Sequence, residues 1–226
     1  MFAKDFLALF YPSLCIICAS NLLKHEECIC ISCLHQTPKT DCFINSKNDV
    51  SERFWGRIQL ENAAALFDFN KDGNAQKLIH QLKYEEGKNV GIFLGKQLAY
   101  AINESECFNN IDIVIPVPLH SKKQKLRGYN QSDFIAKGIK EILDIKVNTQ
   151  SLIRIENTDS QTRKKRFSRW ENMMNSFDLR SSKKLKGKHI LLVDDVITTG
   201  STLEACAQKL QEVEGVKVSI ATIAVA

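Results

Sequence analysis

Apolar residues change their spacing from segment to segment along the chain, and each change predicts an element. Ala63–Phe69, AAALFDF, is a compact apolar run and predicts a strand. Ala75–Tyr84 and Val90–Ile102 carry apolar residues at helical spacing and predict two helices. Ile111–Ile115, IDIVI, predicts a short buried strand ending at Pro116, and Ser132–Leu143 a further helix. Val147–Ile155 reads as a strand, Ile190–Asp194 as the most apolar strand, Thr202–Glu214 as a helix and Val216–Val225 as a closing strand. Strands alternating with helices predict a parallel sheet with helices on both faces. Ligands bind such sheets beyond the carboxyl ends of the strands. Two strand ends lead into informative loops, one after Ile115 and one after Val193.

The segments without periodicity divide the rest. Residues 46–57, NSKNDVSERFWG, are polar and read as a linker between a cysteine-rich head, residues 1–45, and a body, residues 58–226. Phe2–Tyr11 reads as a short amphipathic helix docking on the next element; Asp5 interrupts it and no small-residue cleavage site follows. Residues 156–188 are long, polar and basic, with Arg163, Lys164, Lys165, Arg166 and Arg169. Such a stretch inside a compact domain reads as a lid or a disordered segment. A basic lid suits two uses, shielding a reactive centre from water or gripping nucleic-acid phosphates. Trp170 within it suits packing more than stacking.

Composition narrows the class. A chain of 226 residues holds one α/β domain and a small appendage, and 44% hydrophobic residues permit a real core. The net charge of +5 fits an anionic partner and equally fits solvated lysines. No apolar stretch reaches the roughly 18 residues that span a bilayer, so no membrane insertion is expected. A cytoplasmic location follows as an expectation, with thiols kept reduced.

Six of the eight cysteines fall between Cys15 and Cys42. Cys15-x-x-Cys18 and Cys30-x-x-Cys33 form two knuckles whose four thiolates suit a closed tetrahedral zinc site. Such a site is structural, folding a head too small for its own core. Cys28 stands as an alternative to Cys30 in the second knuckle; Cys42 and His35 are surplus to four-coordinate zinc.

The richest chemistry lies in Ile190–Thr202, ILLVDDVITTGST. A turn of Thr198, Thr199, Gly200, Ser201 and Thr202 enters a helix, whose N-terminus offers free N–H groups and partial positive charge. Hydroxyls and a close-approaching backbone complete a cradle sized for one phosphate. Asp194 and Asp195 stand at the strand end, placed to accept from vicinal ribose hydroxyls and to help hold magnesium through water. No Walker loop is present. In the earlier loop, Pro116 and Pro118 stiffen a turn and Lys122, Lys123 and Arg127 supply positive charge. Gly128 predicts a turn, Asn130 a helix N-cap, and Tyr129 suits either stacking on a base or packing.

VDDVITTGST resembles the diphosphoribosyl-binding motif of type I phosphoribosyltransferases. The segment IPVPLHSKKQKLRGYNQSDFIAKGI at Ile115–Ile139 resembles the corresponding segment of the ComF family, also called competence protein F or ComFC-like. So do the pattern Gln161…Arg169-x-x-Asn172…Phe177 and the paired CxxC head, and the resemblance runs from Phe6 to Ala224. It implies an α/β fold, a type I phosphoribosyltransferase-like parallel sheet flanked by helices, with a small N-terminal four-cysteine zinc ribbon at Cys15, Cys18, Cys30 and Cys33. It implies that Val193, Asp194, Asp195 and Thr198–Thr202 bind the phosphoribosyl group, with Asp194 and Asp195 as the catalytic pair. Val117, Pro118, Leu119, Lys122, Lys123 and Arg127 would bind pyrophosphate, under a hood carrying Gln161, Arg169 and Asn172. The implied activity is a magnesium-dependent pentosyl transfer from phosphoribosyl diphosphate in a competence or DNA-uptake setting. The alternative is a non-catalytic phosphoribosyl-ligand protein acting through single-stranded DNA or a competence helicase. No stretch of the sequence reads as a base-specific acceptor pocket.

Overall fold

The computed structural model describes residues 12–84, 87–155 and 176–226. Five parallel strands form the main sheet, in the order β1 (Ala63–Asp68), β7 (Lys217–Val225), β6 (His189–Ile197), β2 (Ile113–Pro116), β3 (Lys146–Val147). The central members are aliphatic because both of their faces are covered: Ile190–Val193 and Ile220–Ala221 are fully buried. β4 (Leu152–Arg154) and β5 (Phe177–Leu179) make a separate antiparallel pair.

Between these strands lie α3 (Asn74–Gln81), α4 (Gly87–Glu104), α5 (Ser121–Arg127), α6 (Gln131–Leu143) and α7 (Ser201–Gln211). Among the described residues, α4 and α6 pack most closely of the helices. A Cβ on Gly95 would collide with the carbonyl of Ile135, and one on Gly138 with that of Ile92. The two backbones therefore touch directly, and only glycine fits at the crossing. Ahead of β1, the chain carries α1 (Ile31–His35) and α2 (Asp49–Glu52).

Several sequence expectations need correction. Residues 46–57 do not form a loose linker. Asn48 caps α2 in a reciprocal capping box with Ser51, and Val50 and Phe54 are fully buried. Asn48 also donates to the carbonyls of Cys42 and Ala63, tying head to sheet. The single strand expected at Val147–Ile155 is split, since β3 belongs to the main sheet and β4 to the small one. A turn in which Asn148 Oδ1 accepts from the N–H groups of Gln150 and Ser151 separates them. β6 continues past Asp194 to Ile197. Of the basic stretch 156–188, residues 156–175 lie outside the described residues; the remainder holds β5, then an exposed turn anchored by the buried Leu185. The helix expected at Phe2–Tyr11 also lies outside the described residues.

Candidate functional site

The two CxxC knuckles converge. The Sγ atoms of Cys15, Cys18, Cys30 and Cys33 all lie within 4.8 Å of one another. Tetrahedral zinc with Zn–S bonds near 2.3 Å sets its sulfurs about 3.8 Å apart, and Cys18 Sγ to Cys30 Sγ measures 3.8 Å. Backbone N–H groups already point at the sulfurs, Cys30 N at Cys15 Sγ (3.4 Å) and Cys33 N at Cys30 Sγ (3.5 Å). The side-chain and backbone donors of Ser20 bring the Cys18 thiol down to about 6, while burial pushes that of Cys33 well up. The donor set thus fits a four-thiolate metal. Cys28, Cys42 and His35 are not part of the group.

The second constellation sits where β6 and β2 end side by side. Pro116 pairs with Val193 across the ladder, and Val117 N–H continues it by donating to Val193 O at 2.9 Å. Asp194 and Asp195 occupy the last turn-ward part of β6 and are half-buried. Asp194 Oδ1 accepts from the Ser132 hydroxyl and from Asp195 N–H, each at 2.9 Å. Burial, with repulsion from Asp195, pushes the Asp194 carboxyl up to about 8, against these two hydrogen bonds. Asp195 Oδ1 accepts from Val196 N–H at 2.8 Å.

Thr198 and Thr199 are exposed, and Gly200 adopts a left-handed φ of 77° as the N-cap of α7. Asp194 and Val196–Leu203 line a hollow of about 50 Å³. Thr199 Oγ1 and Ser201 Oγ stand 3.1 Å apart over it. Val193 is buried in the core of the strand rather than in the hollow.

In the earlier loop, Val117 is buried, while Pro118 and Leu119 are half-exposed. The turn is followed at once by a helix: His120 caps α5 by accepting from Lys122 N–H, and Lys122, Lys123 and Arg127 lie on that helix. Gly128 ends α5 with a φ of 77°. Asn130 holds the N-cap position of α6 but caps nothing; its amide donates to Val117 O (3.0 Å) and Asp133 Oδ1 (2.8 Å). Tyr129 packs: it is buried and its hydroxyl donates to the carbonyls of Leu82 and Tyr84. Gln161, Arg169, Asn172 and Trp170 lie outside the described residues.

Three contributors escaped the sequence reading. Ser132 reaches Asp194 because Gly128–Asn130 turns the chain into α6 beside β6. Arg53 and Arg57 reach the carbonyls of the Thr-rich turn, Arg53 Nη1 to Thr198 O and Arg57 Nη1 to Thr199 O at 3.1 Å. Arg57 also pairs with Glu204, a carboxylate buried at the start of α7. The one available signal was that polar segment 46–57 contains two arginines four residues apart, with Phe54 between them.

Residues 128–225 match the family model of the phosphoribosyl transferase domain. The chain is 32% identical over 136 residues to the DNA utilization protein YhgH of Salmonella typhimurium, covering 59% of each chain. It is 32% identical over 139 residues to Competence protein F of Haemophilus influenzae, covering 60% of this chain and 61% of that one. Over 102 residues it is 33% identical to Competence protein ComFC of Bacillus subtilis, covering 44% of this chain and 38% of the relative. The chain therefore spans about 59% of the length of the first of these relatives. No helix among the described residues is long and apolar enough to cross a membrane. The parallel sheet, the four-cysteine cluster and these matches thus make the chain similar to the competence and DNA utilization proteins over about 59% of its length, with a match to the phosphoribosyl transferase domain at residues 128–225.

Proposed function

We propose that the chain binds phosphoribosyl diphosphate at the carboxyl ends of β6 and β2 and transfers its phosphoribosyl group with release of pyrophosphate. The observation that carries this reading is the pairing of the two strand ends, Val117 N–H on Val193 O. That bond brings together the two strand ends, one leading towards the Thr198–Thr202 turn past Asp194 and Asp195, the other through Val117–His120 into the basic helix α5. The cradle takes the 5-phosphate through N–H groups and hydroxyls. The carboxylates accept from the ribose hydroxyls, and Val117, Pro118, Leu119, Lys122, Lys123 and Arg127 face the diphosphate. Asp194 and Asp195 offer the hard oxygen ligands that magnesium prefers, directly or through water, and the bound ion would neutralise diphosphate charge. A nitrogen nucleophile bonds to the anomeric carbon as the carbon–oxygen bond breaks, and pyrophosphate leaves with the electron pair. We assign zinc to the four cysteines, with a structural role, the head at 1–45 and the body at 58–226 acting in a reducing, cytoplasmic setting.

The test is calorimetric titration with phosphoribosyl diphosphate, with and without magnesium, followed by a pyrophosphate-release screen across the common bases. Binding with turnover is the expected result. Absence of binding sinks the reading.

A second reading is favoured by the names of the relatives, a DNA utilization protein and competence proteins, and by the exposed Lys122, Lys123 and Lys125 of α5. Here the same pocket holds a phosphoribosyl ligand without turnover, and the chain acts on single-stranded DNA or a helicase partner. Tight ligand binding with no pyrophosphate from any base distinguishes it from the first.

A further inference from the structure

Arg53, Phe54 and Arg57 come from one short segment just after α2, and all three touch the turn between β6 and α7. Arg53 Nη1 donates to Thr198 O and, at 2.9 Å, to Ala226 O. Arg57 Nη1 donates to Thr199 O at 3.1 Å and to Arg53 O at 2.9 Å, while its Nη2 engages Glu204. The Phe54 ring fills the space a side chain on Gly200 would need, with Cε1 2.9 Å from an ideal Cβ.

In a trans peptide the C=O and the following N–H point in opposite directions. Holding Thr198 O fixes the N–H of Thr199, and holding Thr199 O fixes that of Gly200. Both N–H groups are turned away from the arginines. Among the described residues neither has a protein acceptor. Their carbonyls, by contrast, are each engaged by a cation, which deepens the polarity of the peptide and strengthens the N–H as a donor.

We propose that Arg53 and Arg57 are positioning residues for the anion cradle. They lock two peptide planes so that the N–H groups of Thr199 and Gly200 are presented to a phosphomonoester before it arrives. Phe54 seats Gly200 in the left-handed conformation that the turn requires. The arginines act from behind, on the carbonyl side, so their charges serve the ligand without touching it. This rests on the reading of Thr198–Thr202 as a 5-phosphate site.

The experiment compares wild type with Arg53→Ala combined with Arg57→Ala and Glu204→Gln, the last change avoiding an unpaired buried carboxylate. Arg53→Lys with Arg57→Lys is the conservative rescue. Calorimetry measures ribose 5-phosphate and pyrophosphate separately, and nitrogen relaxation measures the Thr199 and Gly200 amides of the ligand-free protein. In the triple variant, ribose 5-phosphate affinity falls by about tenfold or more, the loss of one oriented charge-assisted bond or two. Pyrophosphate affinity stays unchanged, which a global folding defect would not allow. Amide order parameters fall from about 0.85 towards 0.6, and the lysine pair restores part of both. Unchanged ribose 5-phosphate affinity overturns the proposal, whatever the amides do. If wild type binds no ribose 5-phosphate, the phosphate-site reading fails on its own; the amides then judge the brace, looser ones supporting it and unchanged ones overturning it.

Discussion

Phe54 lies against Gly200, its ring occupying the volume in which any other residue at position 200 would place a side chain. Two demands meet at this glycine, the left-handed φ of 77° and the absence of room. Gly200→Ala is expected to lose about 1–2 kcal/mol from the backbone conformation alone and more from the collision. Phe54→Ala opens a cavity at a fully buried position and is expected to cost about 3 kcal/mol or more. Chemical denaturation of both variants checks this. A Phe54→Ala midpoint equal to that of wild type would show that the segment does not pack as described.

The Arg57–Glu204 pair gives an asymmetric expectation. Glu204 is 2% exposed, whereas the Arg57 side chain is 33% exposed. Removing the arginine strands a buried carboxylate, and Arg57→Ala should cost roughly 2 kcal/mol, below the loss for a fully buried pair. Adding Glu204→Gln should recover part of that loss. A double-mutant cycle on unfolding free energy provides the measurement; additivity would mean that the pair is not coupled.

Asp194 makes stability depend on pH in a definite direction. Its folded carboxyl is raised to about 8 by burial and by Asp195. The native state therefore holds a proton that the unfolded chain has already released, between the ordinary carboxylate range and about pH 8. Its contribution to stability is fully present below the unfolded value and is lost as pH rises through the folded one. Asp194→Asn should flatten that decline, gaining on wild type from about pH 5 to above pH 8. Ser132→Ala removes a donor to the ionised form and should move the Asp194 titration further up. Carbon-detected titration of the carboxyl, beside melting curves over the same range, reads both effects.

The cysteine head predicts a stoichiometry and a fold dependence. Elemental analysis should find about one zinc per chain, held by Cys15, Cys18, Cys30 and Cys33. Cys33→Ser, at a buried ligand, should lose the metal and the order of the head. Cys28→Ser should keep both, since Cys28 lies outside the group. Retention of zinc by Cys33→Ser would reassign the ligand set.

Much of this was legible because the signals are local. Ile190–Val193 is aliphatic without interruption, and a strand buried on both faces has no other way to be written. Two CxxC knuckles imply a shared ion from their spacing alone. The brace was illegible for an equally physical reason. Val50, Phe54 and the exposed Trp55 are three apolar residues in a polar run, too few to show a period, and Phe54 meets Gly200 far along the chain. Arg57 meets Thr199 across 142 positions and Ser132 meets Asp194 across 62. Tyr129 was undecided from sequence because an aromatic ring suits a base and a core equally; only the carbonyls of Leu82 and Tyr84 above its hydroxyl settle its place. Asn130 had the right address and the wrong role, since Val117 O competes for its side chain.

The order of the main sheet has a consequence for the chain during its synthesis. β7 is made after both β1 and β6, yet it stands between them. Until it leaves the ribosome, the nascent chain carries two aliphatic strands with a missing neighbour, each a template for a foreign strand. Arg53, which binds both Thr198 O and Ala226 O, has only one of its two anchors until then. A product cut short after α7 would therefore carry every residue of the phosphate turn and still present open edges. Such a fragment is expected to aggregate or be degraded rather than to persist as a partly active protein.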